Sequence, residues 1–236
     1  MKENRFPAPN PVIAPVLLQA EPEPLNIDLA RSAVVVVDMQ NAFVSKGGMF
    51  DLWGYDISGC QRIIEPIKEI TSTAQAKGIK VIYIAHRYSL DLREMGGPDS
   101  SHWHKSAKIV DYYEHPEWRD KLIIRSTWGA DIIEELKPQE GDIVVEKPRF
   151  SAFFGTNLDI ILKTFEIKYL VFVGVATNIC VEASIRDAAY LDYFPILVSD
   201  ATANTGPPFM QEATIFNVKH VYGWVTTTEN IIKALE

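Results

Sequence analysis

The chain is short of cysteine, short of positive charge and without a long apolar run, and each shortage removes a class of protein. Two cysteines in 236 residues, Cys60 and Cys180, make no disulfide framework. They read as free thiols of a reducing compartment, which points to the cytoplasm. Acidic residues outnumber basic ones 31 to 23, for a net charge of −8. That balance argues against sequence-independent binding to nucleic acid or a membrane surface, since both require basic patches. No apolar run approaches the roughly 20 residues that span a bilayer. The opening Met1-Lys2-Glu3-Asn4-Arg5-Phe6-Pro7 has no apolar core of a secretory signal. What is present is ordinary globular material. Hydrophobic residues make up 47% of the chain, and mean hydropathy is near zero. This length buries one substantial core, and one large α/β domain is favoured over two small ones.

The first 30 residues hold six prolines (Pro7, Pro9, Pro11, Pro15, Pro22 and Pro24) and little periodicity. Proline removes backbone donors and resists both helix and central strand, so residues 1–30 are expected to form an extended arm, with the domain occupying 31–236. Apolar runs then recur at Ala33–Val37, Ile79–Ala85, Ile143–Val145, Tyr169–Gly174, Ile196–Ser199 and His220–Val225. Their lack of strict alternation suits strands buried on both faces, as in a parallel sheet. Helical patterns separate most of them. Ile63, Ile64, Ile67 and Ile70 share one helix face that Gly78 ends. Leu158, Ile161, Leu162 and Phe165 repeat the spacing after a candidate cap at Thr156. Pro207-Pro208 opens a third helix and Thr228 a fourth. Strand alternating with helix predicts a doubly wound, mainly parallel sheet of six strands flanked by helices. Residues 86–128 break the alternation with a long polar-aromatic stretch. A loop of this length leaving a strand's carboxyl end is expected to be a lid or binding loop.

Three polar residues stand at the carboxyl ends of predicted strands: Asp38, Lys147 and Cys180. Such ends converge in space on one edge of a parallel sheet. An ammonium lowers the pKa of a nearby thiol, and a carboxylate can accept its proton. Cys180 lies where a strand-to-helix turn offers free N–H groups and a helix dipole to a thiolate or an oxyanion. Each residue also has a plainer reading. Asp38 suits a turn, Lys147 beside Pro148 suits a solvated loop, and Cys180 suits a small core position.

The segments Val37-Asp38-Met39-Gln40-Asn41-Ala42-Phe43, Glu146-Lys147-Pro148-Arg149-Phe150-Ser151-Ala152-Phe153 and Gly174-Val175-Ala176-Thr177-Asn178-Ile179-Cys180-Val181 resemble, in order, those of the isochorismatase-like cysteine hydrolases. The resemblance covers roughly residues 30–236. It implies a doubly wound sheet of six strands, agreeing with the independent count. It also implies Asp38 as general base, Lys147 as stabiliser of the thiolate and intermediate, and Cys180 as nucleophile. A non-proline cis peptide at Val175–Ala176 is implied too, with the backbone N–H groups of Ala176 and Cys180 facing the oxyanion. Within the family, Gly47-Gly48, Asp51-Leu52, Gly96-Gly97-Pro98, His104-Lys105-Ser106, Lys147-Pro148-Arg149, Phe216-Asn217 and Gly223-Trp224-Val225 are similar to segments of the ureidoacrylate amidohydrolases of pyrimidine breakdown. That likeness implies hydrolysis of a ureido C–N bond through a carbamoyl thioester, on a small-molecule substrate and with no cofactor. It also implies substrate contacts at Asn41, His86, Tyr88, Glu94 and Phe150. At three of these the chain departs from the group: an amide and an indole are more usual than His86 and Tyr88, and a tyrosine more usual than Phe150. Biuret, N-carbamoyl amino acids and related carbamoyl compounds therefore stay open as substrates. A homo-oligomer is expected by the same resemblance, with the proline-rich arm, Trp118 and Trp128 suited to subunit contacts.

Two other readings compete. Nicotinamidases share the triad and add a metal site from an aspartate and closely spaced histidines. Here His86, His102, His104 and His115 are the nearest candidates, and none follows an Asp-x-His pattern after the second strand. The pair His102 and His104 suits solvent or substrate better than zinc, so no metal is expected. A catalytically silent binding or scaffold protein has no physical need of Asp38, Lys147 and Cys180 together. Cys60, near the start of a helix with no lysine or strand end beside it, is expected to be structural. Elemental analysis of the purified protein should find no stoichiometric zinc, and one zinc per chain would overturn that expectation.

Overall fold

Residues 15–105 and 110–236 are described by a computed structural model. Among them are a two-stranded hairpin, β1 (Val16–Leu18) with β2 (Leu25–Ile27), and a six-stranded sheet. The sheet contains β3 (Ser32–Val37), β4 (Lys80–His86), β5 (Ile143–Lys147), β6 (Tyr169–Val175), β7 (Phe194–Ala203) and β8 (Trp224–Thr226). Its spatial order is β5-β4-β3-β6-β7-β8 and every neighbouring pair is parallel. This is the doubly wound α/β architecture that the alternating pattern predicts.

The uninterrupted apolar runs have a simple cause. All six residues of β3 are buried, because helices cover both faces of the sheet. Val34 and Val36 face the layer containing Ile67, Ile70 and Ala74 of helix Ile64–Ala76 and Ile231 and Leu235 of helix Thr228–Leu235. Ala33, Val35 and Val37 face the opposite layer, with Leu158 and Leu162 of helix Leu158–Thr164 and Ile185 and Ala188 of helix Glu182–Tyr190. The first helix stops where expected, with Gly78 in the left-handed region at φ 73°. Helix Pro208–Asn217 begins on the predicted proline. Thr156 sits one residue ahead of the cap position Asn157, yet its hydroxyl accepts from the Leu158 N–H at 3.1 Å.

Two segments differ from expectation. The predicted strand His220–Val225 is a strand only at its end. Val218–Tyr222 instead forms a π-helical turn that continues the helix before it. Thr214, Val218 and Tyr222 carry the helical i, i+4 stripe onward, so the apolar residues of this stretch obey the 3.6-residue period rather than the strand period. The proline-rich stretch 15–27, expected to be extended, folds as the β1–β2 hairpin around the cis Glu21–Pro22 bond. Glu21 pairs with Val225 in both directions, at 2.8 and 2.9 Å, and Leu18 and Ile27 are fully buried. Residues 1–14 of the expected arm lie outside the described residues. No described helix is long and apolar enough to cross a membrane.

The order places a topological switch between β3 and β6. From β3 the chain winds outward through β4 and β5, then returns to β6 on the other side. The carboxyl ends of β3 and β6 thus diverge to form a crevice, the place where open α/β sheets bind ligands. Gly174 makes this junction possible. It lies opposite Val37 with φ 110°, and a Cβ there would fall 2.1 Å from the Val37 carbonyl oxygen. Gly174→Ala should therefore cost about 2–4 kcal/mol in urea unfolding, from overpacking and left-handed strain combined. A loss below about 1 kcal/mol would show that β3 and β6 can separate freely.

Candidate active site

Three strand ends and the turn after β6 build the site. Asp38, the first residue beyond β3, adopts the left-handed region at φ 52°, which short polar side chains tolerate better than most. Its N–H still bonds the Ile84 carbonyl at 2.9 Å, so the turn away from the sheet is fixed. Lys147 ends β5 and pairs in register with His86 at the end of β4. Although β4 lies between β5 and β3, the lysine stem crosses its end. Nζ then stands 2.9 Å from Asp38 Oδ2 and donates to the Arg149 carbonyl at 3.1 Å. Asp38 and Lys147 are 1% and 0% exposed, so each depends on the other for charge compensation.

Cys180 belongs to the π-helical turn Thr177–Val181, which runs directly into helix Glu182–Tyr190. The peptide Val175–Ala176 before it is cis, at the expected position. The Ala176 carbonyl accepts from the N–H groups of Ile179 and Val181, closing the turn. The Ala176 N–H itself has no acceptor among the described residues, and Ala176 lines the cavity. Ser184 anchors the next turn of the helix. Its hydroxyl donates to the Cys180 carbonyl at 2.6 Å and accepts from the Ala152 N–H at 2.9 Å.

The electrostatics differ from the simple expectation of a preformed thiolate. Burial pushes the Cys180 thiol up, the Asp38 charge adds to this, and Lys147 opposes it without prevailing. Burial also raises the Asp38 carboxyl, against the pull of the Lys147 ammonium. Lys147 stays charged, because Asp38 and Cys180 outweigh the burial that works against its ammonium. Burial thus favours the neutral thiol, which lies within 4.8 Å of the Asp38 carboxyl that the Lys147 ammonium contacts. Such an arrangement can activate a thiol at the moment of attack.

A cavity of about 430 Å³ opens onto these groups. His86, Tyr88 and Phe150 line it, as the sequence predicts. Asn41 and Glu94 are not brought to it. The Asn41 amide donates to the Trp128 carbonyl at 2.9 Å and accepts from the Ser45 hydroxyl at 2.8 Å. Glu94 is engaged by the Ser89 hydroxyl at 2.5 Å and by Arg125 at 2.7 Å. Partial burial works against its charge, yet those two partners carry it down to about 2. Both residues shape the loops around the cavity instead. Sequence reasoning missed the opposite wall, where Phe43, Phe50, Trp53 and Tyr55 pack together, edge to face except for the tilted Phe50–Trp53 pair. Their clustering around Gly47 and Gly48 was the available signal. It missed Gln40 as well, whose amide clasps the His86 backbone at 2.7 and 3.1 Å and fixes the end of β4.

The histidines do not gather as a zinc site would require. His104 bonds the Pro98 carbonyl, and His115 stacks on Trp118. Asp38, His86 and Cys180 could offer three ligand atoms within 4.8 Å of one another. The Lys147 ammonium already lies against that carboxylate, and a fixed cation there repels a second one. Cys60 is buried in the core, with its thiol raised to about 11 by burial.

His86 and His102 are bridged by the Tyr88 hydroxyl, 2.8 Å from Nε2 of each. A phenol donates one proton at most, so at least one imidazole is a donor to it. Burial, with Lys147 and His102 nearby, drives His86 well below its ordinary value. Partial burial, with Arg149 and Lys147, lowers His102 from 6.5 to about 4.

Residues 32–230 match the isochorismatase domain, and the chain belongs to the isochorismatase family. It is 47% identical over 213 residues to the ureidoacrylate amidohydrolase RutB of Agrobacterium fabrum (strain C58), spanning 90% of this chain and 93% of that protein. Among solved structures it resembles a cysteine hydrolase from Pseudomonas syringae pv. phaseolicola, with TM-score 0.74 and 28% identity over 89% of this chain and 94% of that one. It also resembles N-carbamoylsarcosine amidase from Thermoplasma acidophilum, with TM-score 0.62 and 27% identity over 84% and 97% of the two chains.

The His86–Tyr88–His102 chain gives a signed pH dependence. The unfolded chain binds the His102 proton more tightly than the folded one does. The stabilising contribution is therefore complete above pH 6.5 and is lost as pH falls toward about 4. The difference in urea midpoint between the wild type and His102→Gln should be larger at pH 7.5 than at pH 4.5. An equal difference at both would mean that His102 is not held neutral.

Proposed function

We propose that the protein is a cysteine amidohydrolase that cleaves the ureido C–N bond of ureidoacrylate, releasing aminoacrylate and carbamate. The observation that carries this is the buried Asp38 and Cys180 on the wall of one cavity, with Lys147 against the Asp38 carboxyl. The family and the name of the 47%-identical relative support the substrate.

In this reading Asp38 takes the Cys180 proton as Sγ attacks the ureido carbonyl carbon. The new C–S bond forms as the carbonyl π electrons move to oxygen. The N–H groups of Ala176 and Cys180 bind that oxyanion, and Lys147 balances the charge passing between sulfur and carboxylate. Collapse of the tetrahedral intermediate breaks the C–N bond. The proton held by Asp38 goes to the departing nitrogen, which leaves as aminoacrylate. Water then adds to the carbamoyl thioester, with Asp38 again taking a proton. Carbamate leaves, Cys180 regains its hydrogen, and carbamate decomposes to ammonia and carbon dioxide. Carboxylate and ammonium end each cycle as they began it. The reading carries with it a homo-oligomer working in the cytoplasm.

Cys180→Ser should lower ammonia release from ureidoacrylate by at least about 10³-fold. Its unfolding free energy should stay within about 1 kcal/mol of wild type, because the hydroxyl nearly matches the thiol in volume. Quenched-flow mass spectrometry should find a carbamoyl group on Cys180 in the wild type alone. Normal turnover by the variant would refute the assignment.

A further inference from the structure

We propose that Lys105 selects a substrate carboxylate, so that the enzyme prefers ureido or carbamoyl acids over their uncharged counterparts. The inference rests on the amidohydrolase reading and adds the charge carried by the part of the substrate that is not cleaved.

The cavity wall is mainly apolar. Phe43, Phe50, Ile123, Phe150 and Met210 offer no partner for a formal charge. Of the ionisable side chains that line it, Asp38 is balanced from behind by Lys147, and His86 is neutral. Lys105 also lines it, at the exposed rim. Neighbouring cations are engaged elsewhere. Arg125 pairs with Glu94 and Glu146, Arg87 pairs with Glu146, and Arg149 donates to the carbonyls of Glu94 and Pro148. Lys105 has no ion pair with any carboxylate among the described residues.

The fold also holds Lys105 in place. It ends the short helix Ser101–Lys105. Within that helix Trp103 packs on the core, and His102 reaches 2.8 Å from the Tyr88 hydroxyl. His104 Nε2 lies 2.7 Å from the Pro98 carbonyl oxygen. The same chain of hydrogen bonds that ends at His86 therefore ties the helix to the cavity wall. A substrate with its carbonyl carbon at Cys180 must extend along aromatic walls toward the rim. A carboxylate at its far end meets there an exposed ammonium that has no ion pair among the described residues. An amide or hydrogen at that end gains nothing from the charge. Ser106, next in the chain, lies outside the described residues.

The test compares wild type, Lys105→Met and Lys105→Arg on 3-ureidoacrylate and on its uncharged amide, 3-ureidoacrylamide. The ratio of kcat/KM for acid over amide should fall about 10- to 30-fold in Lys105→Met, as expected for losing a charge-assisted hydrogen bond, mainly through KM. Lys105→Arg should recover much of it. A second readout needs no turnover: the rate of Cys180 alkylation by N-iodoacetyl-β-alanine, whose carboxylate stands well away from the reacting carbon, relative to its amide should fall in Lys105→Met in the same direction. If wild type hydrolyses ureidoacrylate but neither ratio moves in Lys105→Met, the role of Lys105 is wrong and the proposed function stands. If wild type hydrolyses neither ureido compound while the alkylation ratio still falls, Lys105 stands as the carboxylate selector and the ureidoacrylate reading fails.

Discussion

Two opposite charges share a site from which water is excluded, and the surrounding structure is arranged around that fact. Asp38 and Lys147 sit 2.9 Å apart at essentially zero exposure. Removing either would leave the other buried and uncompensated, at a cost of about 3–5 kcal/mol. Their contact also constrains geometry. It holds the ends of β3 and β5 at a fixed separation across β4, whose own end is clasped by Gln40. Within 4.8 Å of that carboxyl, the Cys180 thiol is pushed by burial toward its protonated form. One arrangement thus shields the thiol and sets a proton acceptor near it.

The sheet topology determines what the pair can act upon. Because β3 and β6 are neighbours with divergent connections, Asp38 and Cys180 meet across the switch point and the cavity opens between their loops. Gly174 brings the two strands close enough for this. The walls come from chain segments far apart in sequence. An aromatic cluster follows β3, His86 and Tyr88 stand at and beyond the end of β4, and Met210 reaches in from the helix after β7. Reaction type and substrate choice are therefore separable. The strand ends decide the first, and the loops beyond them decide the second.

Much of this was legible in the residue order, for identifiable reasons. Strands buried on both faces leave unbroken apolar runs, and five of the six runs became strands largely as read. The sixth misled because β-branched and aromatic residues at 218–222 fit a strand by composition and a helix by period, and the preceding helix decided between them. The hairpin at 16–27 was hidden by its prolines, since its pairing with Val225 is not a local property. At the site, Asp38, Lys147 and Cys180 could be found because polar residues at strand ends are few and stand at fixed places. Asn41 and Glu94 were misplaced for the opposite reason. A polar side chain on a loop can turn toward the cavity or toward its own backbone, and both found local partners.

The sequence by itself determined the elements, their alternation and the three candidate reactive groups. Those follow from side-chain volume, backbone preference and hydrogen-bonding capacity, which each residue carries wherever it lies. Only the tertiary structure decided the protonation of the site, since burial and charge at 2.9 Å set whether a thiol keeps its proton. It also decided the shape of the cavity and the neutrality of His86 on its wall. That Lys105 stands at the rim with no ion pair among the described residues was settled there as well. Each of these depends on distances between residues remote in the chain, and such distances exist only once the sheet has formed.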